Sequence, residues 1–127
     1  MSLASATFIS YDVEPFLANI FSFAPTASSA YPPSRSGPPL PLNIYYAWLL
    51  PTSDGIMENA AIQSASQLAS VAASEGQGIA DAGLYGNYAI YSTPLERIYG
   101  NNLQLMRTLK QQYDPENVMG AAGGWKL

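Results

Sequence analysis

Leu42-Asn43-Ile44-Tyr45-Tyr46-Ala47-Trp48-Leu49-Leu50, followed at once by Pro51-Thr52-Ser53-Asp54, decides the fold. The stretch is β-branched, aromatic and apolar on both faces, the pattern of a central strand. Pro51 ends it. Ser53 or Asp54 then starts a long helix, expected over 54–75, with Glu58 near its positive end. Ile56, Ala60, Ala61, Ala65, Leu68, Ala69 and Ala72 fall on one face of that helix. Its many alanines let it lie close on a sheet. Gly76 and Gly78 stop it.

Downstream, Leu84 to Tyr91 (LYGNYAIY) reads as another strand. Thr93-Pro94-Leu95-Glu96 then combines an N-cap, a proline at the first helical position and a capping-box glutamate. The helix it starts runs to about Gln112, with Ile98, Asn102, Leu105, Met106, Leu109 and Tyr113 on one face. Gly100 inside it costs about 1 kcal/mol against Ala, which points to close packing or a bend. Asp114-Pro115 breaks the chain, and Gly123-Gly124 read as a flexible tail docked by Trp125. Upstream, residues 1–10 are small and polar and read as loose. Asp12 to Asn19 is expected to form a short helix, restricted by Pro15 to a first turn. Ile20-Phe21-Ser22-Phe23 reads as a strand ended by Pro25, and the proline-rich residues 24–41 as a stiff surface connector.

The order is strand, long loop, strand, helix, strand, helix. It implies a single α+β domain over 1–127, a small antiparallel sheet with two helices packed on one face. Three strands leave exposed edges and a bare second face. Pairing two copies covers them, so a homodimer is expected. A charged content of 11% agrees with an oligomer that hides part of its surface.

Nine acidic residues stand against five basic ones, and the basic residues do not cluster. A nucleic-acid partner is therefore not expected. With no cysteine and no histidine, the chain has no thiol nucleophile, imidazole base or Cys/His zinc site. No metal site is expected, since no acids have the spacing of a metal box or a carboxylate dyad. Proton transfer falls to Asp, Glu, Tyr or Lys, or to water. No apolar run is long enough to span a membrane, and no signal peptide is indicated, so the expected location is cytoplasmic. Tyr46 and Trp48 share a face of their strand and are the expected walls of a substrate pocket, although ordinary core packing accounts for either as well.

Tyr85-Gly86-Asn87-Tyr88-Ala89, Tyr99-Gly100-Asn101-Asn102, Tyr113-Asp114-Pro115-Glu116-Asn117-Val118 and Gly123-Gly124-Trp125-Lys126-Leu127 occur in that order. Together they resemble the C-terminal signature of the fungal berberine-bridge-enzyme-like, FAD-linked oxidases. Phe21-Ser22-Phe23-Ala24-Pro25 and the Trp48 strand extend the resemblance over about residues 8–127. It implies the end of a substrate domain plus a C-terminal segment that packs against an FAD domain. In the family the Tyr-x-Asn-Tyr strand faces flavin and substrate, and its last tyrosine is similar in position to a catalytic base of some members. That makes Tyr88 the catalytic candidate here, with Tyr85 and Asn87 as substrate-binding neighbours.

Strict alternation puts Asn87 and Tyr88 on opposite faces unless the strand bulges at Gly86. Tyr88 reads equally as a core residue with its hydroxyl satisfied. Ala24 replaces the family's glutamine, and the proline-rich stretch replaces its glycine-asparagine loop. The FAD-binding half has no counterpart in these residues, so no cofactor is expected. The implied function is a cofactor-independent enzyme of secondary metabolism, an isomerase or a pericyclic (Diels–Alder-type) cyclase, with an aromatic pocket for an apolar small molecule. The alternatives are a non-catalytic accessory or binding protein, and a remnant of such an oxidase.

Overall fold

The computed structural model describes residues 5–17, 19–23, 25, 28–31, 40–80 and 82–127. The fold is α+β, and the chain divides into two compact units. The first combines residues 1–16 with 40–82; the second combines 17–39 with 83–127. The proline-rich connector expected over 24–41 lies mostly outside the described residues.

In the first unit, β1 (Ala6–Val13) pairs antiparallel with β2 (Leu42–Trp48). The register sets Phe8 opposite Ala47, Ile9 opposite Tyr46, Tyr11 opposite Ile44 and Val13 opposite Leu42. A bulge at Thr7 shifts the pairing, so that Ala6 faces Trp48. β1 corrects two expectations. The stretch 6–10 is not loose, and Asp12 sits in a strand rather than a helix. Thr7, Phe8, Ile9, Tyr11 and Val13 are good strand formers, but only a partner makes them a strand. The expected strand Ile20–Phe23 is a run of turns, in which Ile20 N–H donates to Leu17 C=O and Ser22 N–H to Asn19 C=O.

A 3-10 turn at Pro51–Ser53 leads into α1 (Asp54–Ser74), which packs on β2. Neither Ser53 nor Asp54 supplies the expected cap. Ser53 bonds the buried Ser5 through their hydroxyls, and Asp54 accepts the Trp48 indole N–H at 2.6 Å. The inward face is rotated from the alanine stripe: Met57 is sealed from solvent, Ala60, Ala61 and Ser64 are half-buried, and Ile56 is exposed. The helix ends as expected at Gly76, whose φ is +77°. Gln77 N–H reaches back to Ala72 C=O and Gly76 N–H to Ala73 C=O, the paired bonds of a Schellman motif.

In the second unit, the helix expected from Thr93 to Gln112 is broken. α2 (Leu95–Tyr99) meets α3 (Leu103–Tyr113) through a 3-10 turn at Gly100–Asn102. Gly100 takes φ +52°, which a side chain would resist, so the bend anticipated there is real. The capping box does not form. Pro94 sits at the N-cap, and Glu96 makes an exposed pairing with Arg107 at 3.6 Å instead.

The Gly100 break also changes the helical phase. Ile98 and Leu103 are buried, whereas Leu105 and Tyr113, expected inside, are exposed. The expected strand Leu84–Tyr91 is absent too, and among the described residues the sheet has two strands rather than three. Tyr88 N–H and Ala89 N–H both donate to Tyr85 C=O, at 3.0 and 3.1 Å, so the segment closes into a turn.

The phase change separates two leucines that a continuous helix would rank the other way round. Leu103→Ala is expected to destabilise the second unit by about 3 kcal/mol, and Leu105→Ala by less than about 0.5 kcal/mol. Urea unfolding followed by Trp125 fluorescence, with Trp48 replaced by Phe, checks the order.

Candidate functional site

The predicted site residues fall into two groups, one in each unit. Tyr85, Asn87 and Tyr88 lie in the second. The 85–88 turn achieves what strand alternation forbade. The Asn87 side-chain amide donates to the Tyr85 hydroxyl at 2.8 Å, and the Tyr88 ring stands edge-on to Tyr85 with centroids 5.1 Å apart. Gly86 lets Ile98 and Trp125 approach the turn closely. A Cβ there would come within 3.3 Å of Ile98 and 3.5 Å of the Trp125 indole nitrogen. The tail is thus docked by Trp125 against this turn.

Tyr31 completes the cluster, its ring 6.0 Å from that of Tyr85. Burial, and then the neighbouring Tyr85, push its phenol above the ordinary value. Sequence reasoning missed Tyr31, since nothing near it in the chain marks it. Asn102 positions the adjoining backbone: its side-chain amide donates to Ser29 C=O at 3.3 Å and Ala30 C=O at 3.1 Å. Its place in the Tyr-Gly-Asn-Asn motif was the available signal.

Tyr46 and Trp48 lie in the first unit and share the α1-side face of β2, as alternation requires. Trp48 is committed to Asp54. Tyr46 is one of three linked hydroxyls. Tyr11 Oη lies 2.8 Å from Tyr46 Oη and 2.7 Å from Ser64 Oγ. The Ser64 hydroxyl, then that of Tyr46, holds the Tyr11 phenol below its ordinary value. The Tyr11 hydroxyl beside it, and then burial, raise that of Tyr46. Thus Tyr46 is a polar partner rather than a plain apolar wall.

An open groove of about 600 Å³ follows α3 and the chain after it, lined by Met106, Leu109, Tyr113, Met119 and Trp125. None of the predicted site residues lines it. Asp114 fixes its rim. Its carboxylate accepts Val118 N–H at 2.7 Å, Met119 N–H at 3.1 Å and the Lys110 ammonium. Lys110 also donates to Asn117 Oδ1 at 2.7 Å, with Asn117 at φ +56°. Lys126 closes the last turn on the carbonyls of Gly120 and Gly123. Among the described residues no cluster of three or more His, Cys, Asp or Glu is placed to hold a metal ion. None of the described helices is long and apolar enough to cross a membrane.

The Lys110 ammonium, with the two backbone amides, holds the Asp114 carboxyl below the ordinary carboxylate range. A depressed carboxyl contributes stability at higher pH and loses it as pH falls through the folded pKa. Trp125 fluorescence in a Trp48→Phe background should therefore hold steady down to the ordinary carboxylate range and change only below it. Asp114→Asn should abolish that transition. An unchanged transition in the variant overturns the assignment. Compared with known proteins, the chain matches no family model, no curated protein and no solved structure, so function is argued from the site.

Proposed function

We propose that this chain is akin to the substrate-side, C-terminal portion of the fungal berberine-bridge-enzyme-like oxidases. On this reading it acts on an apolar small molecule of secondary metabolism as a non-redox isomerase or pericyclic, Diels–Alder-type cyclase. The observation that carries it is the Tyr31–Tyr85–Tyr88 cluster with the Asn87 amide on the Tyr85 hydroxyl. Aromatic rings at fixed angles hold an apolar substrate in one shape, and a phenol beside them polarises a carbonyl. Tyr88 is the hydrogen-bond donor and Tyr85 the stacking surface, with Asn87 fixing the Tyr85 hydroxyl. Tyr46 and Trp48 form a separate aromatic surface within the first unit. The chain has no cysteine or histidine, so flavin linkage through either lies outside its chemistry. A cytoplasmic setting belongs to the same reading.

A non-catalytic binding role, completed by a second copy of the chain, is the second reading. It is favoured by the sheet face opposite α1. There Phe8 and Tyr45 meet edge-on at 5.9 Å and are both more than half exposed. Exposed aromatic pairs on a two-stranded sheet are a surface that association covers.

Loss of the gene should leave an uncyclised or unisomerised precursor in the producing organism. Tyr88→Phe should lower turnover of that precursor about 100-fold if the phenol is the acid. Unchanged turnover leaves shape alone, and a reaction that proceeds at the same rate and stereochemistry without the protein overturns the enzyme reading. A flavin absorbance in the purified protein would sink cofactor independence.

For association, sedimentation should give a dimer that Tyr45→Lys dissociates. A wild-type monomer at high concentration removes the second copy from the account.

A further inference from the structure

The hydroxyl chain of the first unit does something that neither reading above uses. Tyr11 Oη sits between two hydroxyls, at 2.8 Å from Tyr46 Oη and 2.7 Å from Ser64 Oγ. Each hydroxyl owns one proton. When Tyr11 is neutral, its own proton occupies one of the two links, so only one neighbour donates to it. When Tyr11 is ionised, both neighbours donate. The arrangement therefore solvates the phenolate better than the phenol.

The three groups come from β1, β2 and α1, so three separate elements fix the site. Tyr11 is nonetheless 46% exposed, and a small molecule can reach it. No carboxylate opposes the anion from the elements around it. On β1, Asp12 alternates to the other face and accepts from Ser10 at 2.7 Å. On β2, the residues flanking Tyr46 on its face are Ile44 and Trp48. On α1, the positions one turn from Ser64 are Ala60, Ala61, Gln67 and Leu68, while Asp54 is bonded to Trp48 and Glu58 and Glu75 occupy other turns.

We propose that Tyr11 is a proton-acceptor site for small weak acids, a C–H or O–H of phenol-like strength, with Tyr46 and Ser64 as positioning residues. In the step, the substrate's C–H or O–H bond breaks and its electron pair stays on the substrate as carbanion, enolate or phenolate. The proton forms the Tyr11 O–H bond and passes on to water or product. The lowered Tyr11 phenol and the raised Tyr46 phenol accord with this assignment of roles. The site stands independently of the Tyr88 cluster.

The test uses 5-nitrobenzisoxazole, from which a base removes the ring C–H while the N–O bond opens to a coloured phenolate. In mildly alkaline buffer the wild-type chain should exceed Tyr11→Phe at least ~10-fold in rate. Ser64→Ala and Tyr46→Phe should move the midpoint of the pH–rate profile upward, which a merely structural role would not do. Tyr91→Phe, at an exposed phenol of the second unit, should change neither. Circular dichroism confirms that each variant is folded. Equal rates for wild type and Tyr11→Phe, or a pH midpoint indifferent to Ser64→Ala, overturn the proposal.

Discussion

Very little of the described chain is sealed from solvent. Among the described residues Met57, Ile98 and Leu103 are the buried apolar side chains, and many large apolar ones remain exposed. With so small an interior, packing alone does not dictate where each segment goes. Polar ties carry much of that task. Trp48 to Asp54 joins the end of β2 to the start of α1. Asp114 gathers two backbone amides and Lys110 at the end of α3. Asn102 holds the carbonyls of residues 29 and 30. Such ties need particular atoms at particular positions, which is why the short polar motifs of the second unit matter more than its hydrophobic pattern.

The parts of the fold legible in the sequence are those with a local cause. β2 and α1 follow from composition and from Pro51, and the end of α1 from Gly76. Gly100 announced its own bend. What it did not announce was the consequence: a 3-10 turn resets the rotation of every residue after it, and Leu103 rather than Leu105 turns inward. The segment 84–91 misled because tyrosines and isoleucine suit a strand, yet its amides find Tyr85 C=O within the segment before any neighbouring strand. β1 misled in the opposite sense, since its partner lies over thirty residues away (Tyr11 and Tyr46 are 35 apart).

The sites divide in the same manner. Tyr85, Asn87 and Tyr88 are close in sequence, and a turn rather than a strand brings them together. The Tyr11–Tyr46–Ser64 chain links positions up to 53 residues apart and leaves no local mark. Tyrosines that look alike in the sequence become chemically distinct only through such surroundings. Burial raises the Tyr31 phenol, while the hydroxyls of Ser64 and Tyr46 lower that of Tyr11. In a chain without imidazole or thiol, such surroundings are what set one phenol apart from another.

The two units are interleaved along the chain, and this bears on the order in which a ribosome releases them. β1 and β2 emerge early, and in the finished structure Glu14 N–H closes on Pro41 C=O at 3.0 Å. Ser29, Ala30 and Tyr31 emerge between them, but Asn102 follows Ser29 by 73 residues and Tyr85 is also made much later. Vectorial synthesis therefore lets the first unit assemble while Tyr31 still waits for its aromatic neighbours. The second unit closes last, when Trp125 reaches Gly86. A pause in translation before that point would leave Tyr31 and its adjoining backbone open to chaperones and proteases, although the sheet was already in place.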